Sequence, residues 1–396
     1  MGSKTLGELC SRVYTGGTPK SGNVDFYRGG NIPWLNTREI SFNRIRQTAG
    51  FITEAGLAAS SAKWVQPNAV IVAMYGATAG KCAIAKIPLT TNQACCNLEI
   101  DDSIADYRYI YYWLMSRYTQ IVGMANGAAQ QNLNVKQIRE LSISLPELGY
   151  QKKVAELLSL LDAKVDLNRQ ANDYLVELVR TEFDHRFGEG TPTTDLSDLL
   201  TISTMSIAPM EYLGETWELF SIPAFDENHR PVFERADEIK SNKYVIDNDC
   251  ILISKLNPST KRLWLPCCTS TRSVCSTEFI VYKPRRPEHK SFYYAAIDSP
   301  RFLEYLLAHI TGSTGSRQRV QVKATLSYPM PNPHVESIDE FCEFADPIIA
   351  RRQSNEQESR RLEEIRDTLL PKLMSGEIDV SEVKLPMQPN NHLSAD

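Results

Sequence analysis

Gly127-Ala-Ala-Gln-Gln-Asn-Leu-Asn-Val135-Lys-Gln-Ile-Arg-Glu-Leu141-Ser-Ile-Ser-Leu-Pro146 lines up with Gly312-Ser-Thr-Gly-Ser-Arg-Gln-Arg-Val320-Gln-Val-Lys-Ala-Thr-Leu326-Ser-Tyr-Pro-Met-Pro331. Gly, Val, Leu-Ser and Pro coincide at a constant offset of 185 residues. Upstream, Lys63-Trp-Val-Gln-Pro-Asn68 matches Lys243-Tyr-Val-Ile-Asp-Asn248 at an offset of 180, and Leu6-Gly-Glu-Leu9 matches Leu196-Ser-Asp-Leu199 at 190. Three matches in one order, with a drifting offset, describe a unit written twice with insertions in its loops. The period far exceeds the roughly 20–50 residues of solenoid and propeller repeats, so the repeated unit is a whole domain.

Each unit opens with about 140 residues of short β-branched and aromatic runs, such as Ala69-Val-Ile-Val-Ala-Met74 and Cys250-Ile-Leu-Ile-Ser254. Gly, Pro and Asn punctuate them, and helical patches stand at Tyr107–Met124 and Ser291–His309. A long helical segment follows. The first covers about Gln151–Phe187, with seam positions Val154, Leu158, Leu161, Val165, Asn168, Asn172, Leu175, Val179 and Glu182 spaced by alternating steps of 4 and 3. The second reads Phe344, Ile348, Arg351, Asn355, Glu358, Leu362, Ile365 and Leu369 with the same steps. Ser337-Ile-Asp-Glu340 is a capping-box start, while Pro347 predicts a kink or a delayed start. Both seams are apolar at the ends and polar in the middle, which suits an antiparallel pair whose polar centres fix register. Val154 to Phe183 is 30 residues, roughly 45 Å at about 1.5 Å per residue. That length slightly exceeds one turn of B-DNA, the spacing at which two readers meet the same face.

Of the 396 residues, 42% are apolar and 23% charged, the balance of a folded chain. No apolar run of about eighteen residues is present, so no membrane span is expected, and the N-terminus lacks a signal-peptide core. Nine cysteines without any C-x-x-C exclude a zinc ribbon and predict reduced thiols in a cytoplasm. The net charge of −5 hides a segregation: residues 1–146 carry +5, 147–193 carry −3, 194–335 are neutral and 336–396 carry −7. The globular segments are therefore the ones free to meet a polyanion, and the acidic helices suit protein partners.

Catalytic constellations are sparse. Gly76-Ala-Thr-Ala-Gly80-Lys81-Cys82 approaches a phosphate loop, but three residues separate the glycines instead of four, and Cys82 replaces the magnesium-binding hydroxyl. A tight β-turn presenting a lysine is the competing reading; a nucleotide-binding enzyme using Gly76–Lys81 is the alternative function. The six histidines show no metal spacing, so no metal site is expected. What recurs instead is basic and amide side chains beside turns and aromatics. In the first unit these are Thr18, Lys20, Trp34, Asn36, Arg38, Lys81, Asn92, Gln93, Gln130, Gln131, Asn132 and Lys136; in the second, Lys255, Lys261, Arg262, Arg272, Arg317, Arg319 and Lys323. Arg, Asn and Gln are the side chains that read base edges, while Lys and hydroxyls at turns hold phosphates.

Gly17-Thr18-Pro19 is followed by Gly30-Asn-Ile-Pro33-Trp34, Ala69-Val-Ile-Val72, Gly76…Gly80-Lys81 and Thr91-Asn-Gln93. Gln131-Asn-Leu-Asn134 then runs through Pro146 into Gln151-Lys-Lys-Val-Ala155, and unit two closes on Leu369-Leu-Pro-Lys372-Leu-Met-Ser375-Gly376-Glu377-Ile378. In this order the motifs resemble the specificity subunit of type I restriction–modification enzymes, over residues 4 to about 380. The second unit departs from the pattern: it has Ile222-Pro223-Ala224 for the Gly-Thr-Pro and Pro-Trp pair, and Asn257-Pro-Ser-Thr-Lys261 for Gly…Gly-Lys.

The resemblance implies an α+β chain with two tandem α/β target-recognition domains, each followed by a long helix, the helices pairing as an antiparallel coiled coil. The expected segments are recognition domain 1 (1–147), central spacer helix (148–190), recognition domain 2 (191–335), C-terminal spacer helix (336–380) and flexible tail (381–396). It further implies a non-catalytic, cytoplasmic subunit that reads a bipartite asymmetric site in double-stranded DNA. Two modification subunits would bind S-adenosylmethionine and methylate adenine N6, restriction subunits would translocate and cut, and this chain would hold no cofactor. The recognition subunit of a related enzyme, one that cuts on both sides of its site, is the nearer alternative.

Overall fold

The computed structural model describes residues 3–126, 132–312, 318–380 and 383. The chain forms two compact units: residues 1–166 with 359–396, and residues 167–358. The division falls within the two long helices, so each helix contributes one half to each unit.

In the first unit a five-stranded sheet runs in the order Cys10–Thr15, Cys95–Ile100, Val70–Ala73, Cys82–Ala85, Asn43–Ile45. Two of its inner strands, Val70–Ala73 and Cys82–Ala85, are apolar at every position because both faces are covered. Val70, Val72, Cys82, Ile84, Cys96 and Leu98 pack on the helix Tyr107–Ser116 and the start of the central helix. Ile71, Ala73, Ala83, Ala85 and Cys95 turn to the other side, against Leu35, Val65 and Leu89 of a four-stranded sheet. Ser3–Thr5 pairs with Ser142–Ser144, the strand just before the central helix Leu148–Arg186. The last described residues return to this unit: Gly376, at φ +75°, ends the C-terminal helix Val335–Ser375, and Val380 is buried in the first core.

The second unit repeats the plan. A four-stranded sheet has the order Leu200–Ser203, Phe279–Pro284, Ile251–Ser254, Leu263–Trp264, and Thr193–Asp195 pairs with Pro329–Pro331. Individual hydrogen bonds recur: Leu6 N–H to Leu141 O becomes Leu196 N–H to Tyr328 O, and Leu133 N–H to Met74 O becomes Val320 N–H to Lys255 O, which corrects the sequence offset of 185 to 187 in this segment. Each helical patch predicted from sequence is two helices, Tyr107–Ser116 with Tyr118–Asn126, and Lys290–Asp298 with Pro300–Ala308. In the second pair, Ser299 caps a helix whose first residue is Pro300, which breaks the run at that point. The units differ in their second sheets, four strands against five. They differ also in one link, residues 86–88 in the first and 265–272 in the second. The longer link folds over Glu218, whose fully buried carboxylate accepts hydrogen bonds from Thr269 N–H, Ser270 N–H and the hydroxyls of Thr269 and Ser273.

Within each unit the early part of one long helix meets the late part of the other. In the first, the Tyr150 hydroxyl donates to Leu373 O and Ile378 O, and Arg366 Nη1 lies 2.9 Å from Asp162. In the second, Asn168 Nδ2 donates to Asn355 O (3.3 Å) and Glu358 Oε2 (3.0 Å), and Asn355 Nδ2 to Asn172 Oδ1 (2.8 Å). Val154, Leu158, Val165, Asn168, Val179 and Asn355 are buried; Leu161, Asn172, Leu175, Ile348, Leu362 and Leu369 are half-buried. Ile365 departs from the expected seam at 47% exposure, and Ile349, Leu370 and Leu373 are buried in its stead. The reason is that the C-terminal helix also serves the globular cores: Phe341 meets Phe183, Phe187 and Phe292 at ring distances of 5.6–6.0 Å. A helix packed on two neighbours buries a 3.6-residue face rather than a strict heptad stripe. The same anchorage carries the helix through Pro347, which neither delays its start nor ends it. The expected tail, 381–396, lies outside the described residues apart from Val383.

Candidate nucleic-acid interface

In the first unit the chain is clamped before its candidate readers emerge. A Cβ on Gly16 would lie 1.9 Å from Thr91 O and one on Gly17 2.3 Å from Ala62 N, so only glycine permits this approach. Gly17 N–H donates to Thr91 O, and Trp34 Nε1 donates to Gly17 O at 3.0 Å. The next residue, Thr18, is exposed and its hydroxyl donates to Gln93 Oε1. The Thr78 hydroxyl bonds Thr37 O, which sets the Gly76–Thr78 turn against the turn Thr37–Glu39. Leu133 N–H on Met74 O brings Asn132 to the same end. Thr18, Lys20, Trp34, Asn36, Arg38, Lys81, Gln93 and Asn132 thus emerge from one set of interlocked loops.

Trp34, Thr18 and Gln93 are thus already bonded within the protein, and so are the candidates Asn92 and Asn36. Asn92 is buried, and its Oδ1 accepts from Ala94 N–H and Cys95 Sγ, so it builds the turn that presents Gln93. Asn36 caps its turn by accepting from Arg38 N–H, while Glu39 returns to Asn36 N–H. Lys136 lies on a short capped helix, 3.9 Å from Glu140, with 82% of its side chain exposed. Gln130 and Gln131 lie outside the described residues.

The Gly76–Lys81 segment is the β-turn of the two readings. Gly80 N–H returns to Ala73 O and Lys81 N–H to Thr78 O, so amides that a phosphate would need are used internally. A strand, Cys82–Ala85, follows rather than a helix.

In the second unit the corresponding turn, Lys255–Arg262, is held by Asn257 N–H on Gln318 O and Val320 N–H on Lys255 O. Here most of the cations expected to face DNA are paired. Lys261 Nζ lies 2.5 Å from Asp298, which also takes Arg180 at 2.9 Å. Arg262, 9% exposed, makes a two-pronged pair with Asp226 at 2.5 and 2.9 Å. Its burial and this partner make it a brace within the unit. Arg272 pairs with Glu215 at 2.9 Å and Arg319 with Glu278 at 3.1 Å; hydrogen bonding to Glu278 raises the Arg319 pKa. Lys255 is half-buried, Lys323 is exposed, and Arg317 lies outside the described residues. Sequence reasoning missed the four carboxylates because each lies 36 to 57 residues from its cation, and only the fold closes that gap.

Further in, Asp162 accepts from the Tyr112 hydroxyl (2.6 Å), Arg44 (3.0 Å) and Arg366 (2.9 Å) in the first unit. This buried node ties the sheet to both long helices. Burial, then Asp162, hold the Tyr112 hydroxyl well above its usual pKa, so it stays a donor.

Among the described residues no His, Cys, Asp or Glu group could hold a metal ion, and no helix is long and apolar enough to cross a membrane. All nine cysteines are free; burial pushes the Cys96 thiol up to about 12 and the Cys268 thiol up to about 11.

Residues 1–176 match the family model for the type I restriction modification DNA specificity domain. Over 421 aligned residues, covering 96% of this chain and 93% of the relative, the chain is 25% identical to the MjaIX type I restriction enzyme specificity subunit of Methanocaldococcus jannaschii. It is also 25% identical over 187 residues, 46% of each chain, to the EcoR124I/EcoR124II specificity subunit of Escherichia coli. The crystal structure of a type I restriction-modification system S subunit from M. genitalium shares the fold, with a TM-score of 0.57 at 18% identity over 94% of this chain and 95% of that one. The family likeness read from the ordered motifs is borne out.

Proposed function

We infer that this chain is the DNA-specificity subunit of a type I restriction–modification enzyme, the part that reads the target sequence. One observation carries the inference: a specificity subunit aligns with nearly the whole chain, both units and both long helices included. Each unit would then be a target-recognition domain reading one half of a bipartite, asymmetric site. The loop set that presents Thr18, Arg38, Lys81, Gln93 and Asn132, and the turn Lys255–Arg262 with Arg319 and Lys323, are the proposed contact surfaces. In this reading amides and guanidinium groups take base edges in the major groove, and lysines and hydroxyls take phosphates.

The long helices would pair as an antiparallel coiled coil, set the unread gap between the half-sites and dock two modification subunits. Their acidity favours this assignment, since like charge keeps DNA phosphates away. The chain itself would be non-catalytic and act in the cytoplasm. S-adenosylmethionine would be bound by the modification subunits, which flip and methylate adenine, and restriction subunits would complete the assembly.

The test is the N6-methyladenine pattern of the source cells with and without the gene. A motif of two defined halves around an unread gap should vanish on deletion. Persistence of every methylated motif, with the modification subunit present and active, overturns the reading.

A further inference from the structure

The two units repeat one plan but differ in how many of their candidate cations are paired. In the first, among the described residues, no ion pair joins Lys20, Arg38 or Lys81 to a carboxylate, while Lys136 stands 3.9 Å from Glu140; Lys20 and Arg38 are exposed and Lys81 half-buried. In the second, Lys261, Arg262, Arg272 and Arg319 meet Asp298, Asp226, Glu215 and Glu278, leaving Lys255 and Lys323 as the described cations of that set without one. The equivalent of Glu278 in the first unit is Ala94: Ala94 N–H is held by the Asn92 side chain as Glu278 N–H is held by Ser276, and their carbonyls accept from Met74 and Lys255. The same backbone place thus carries a carboxylate in one unit and a methyl group in the other.

Attraction between a protein and DNA of any sequence is set by the phosphates it neutralises, each adding about 0.9 to the slope of log affinity against log salt. A guanidinium already facing a carboxylate neutralises no phosphate until that pair opens. We propose that unit one supplies most of the sequence-independent hold on DNA, and that Glu215 and Glu278 suppress that hold in unit two. Unit two would then engage its half-site through base contacts made after unit one is seated. The inference rests on the chain being a DNA-specificity subunit.

The experiment uses the complex of this chain with its modification subunits. It measures binding to a duplex that lacks the recognised site, between 50 and 200 mM salt. The double variant Glu215→Gln, Glu278→Gln releases Arg272 and Arg319. Its slope should steepen by about 1.8, widening the affinity ratio across that range about 12-fold. Adding Arg272→Gln and Arg319→Gln should return the slope to its starting value, which a merely unfolded variant would not do. The variant Lys20→Gln, Arg38→Gln, Lys81→Gln should flatten the slope by about 2.7, a roughly 40-fold narrower ratio. These pairs lie at the surface, where an ion pair contributes little to stability, and thermal melts of the glutamine variants check that the fold is kept. An unchanged slope in the Glu215, Glu278 variant overturns the inference, as does an unchanged slope in the unit-one variant. If instead the unaltered complex binds no DNA with any salt dependence, it is the specificity-subunit reading that fails.

Discussion

At the scale of single residues, burial decides which charges brace the protein and which remain to meet a ligand. Asp162 is 6% exposed and answers two guanidinium groups and a tyrosine hydroxyl. Removing one partner of a buried pair strands the rest, so Asp162→Ala should cost about 3–5 kcal/mol in urea unfolding. A loss below about 1 kcal/mol would show that the two arginines reach water instead. Gly16 is the steric counterpart: Gly16→Ala should unfold or displace the Thr18–Gln93 loops, because its methyl group would overlap Thr91 O. His229 adds a pH effect. It sits at φ +53° against the Phe225 ring with one edge exposed, and the partial desolvation of the imidazole there, then Arg352, hold its pKa below the ordinary imidazole range. A depressed histidine stabilises the fold above its unfolded pKa, and that contribution is lost as the pH falls through the folded value. Melting temperature should therefore fall more steeply with acid, below about pH 6.5, in the parent than in His229→Asn. Parallel curves would exclude the histidine.

At the scale of elements, the polar centre of the helix pair is the informative feature. Asn168, Asn172 and Asn355 spend their amides on each other and on the backbone of the opposite helix, where leucines would pack in many registers. Four residues inserted between Asn168 and Asn172, with four more after Asn355, lengthen the pair by roughly 6 Å. In the proposed function the unread gap of the methylated motif should lengthen with it. A gap that stays the same while both half-sites are still read would separate the helices from spacing altogether.

At the scale of the whole molecule, duplication of one plan predicts modularity. Exchanging residues 1–146 for another recognition domain, with both helices retained, should change one half of the methylated motif and leave the other. A change in both halves would contradict independent reading. The exchange carries a check on stability, since the first unit includes the end of the C-terminal helix: Val380 and Leu373 must find an equally apolar pocket in the incoming domain. Burying each such side chain contributes about 1.5–3 kcal/mol.

Much of this was legible in order along the chain. The 185-residue offset announced two copies, the β-branched runs Ala69–Met74 and Cys250–Ser254 announced strands, and the alternating 4 and 3 steps announced two long helices. Such features are local or periodic, and a local pattern is a property of sequence because the neighbours that satisfy it are a few residues away. What only the tertiary structure decided is which partner each side chain meets. Asn92 became a turn-builder, Arg262 a brace on Asp226, and Ile365 an exposed residue because the C-terminal helix serves two neighbours. Ion pairs closed across 36 to 57 residues leave no trace in composition or period. Their energies depend on distance and burial, and those exist only once the chain has folded.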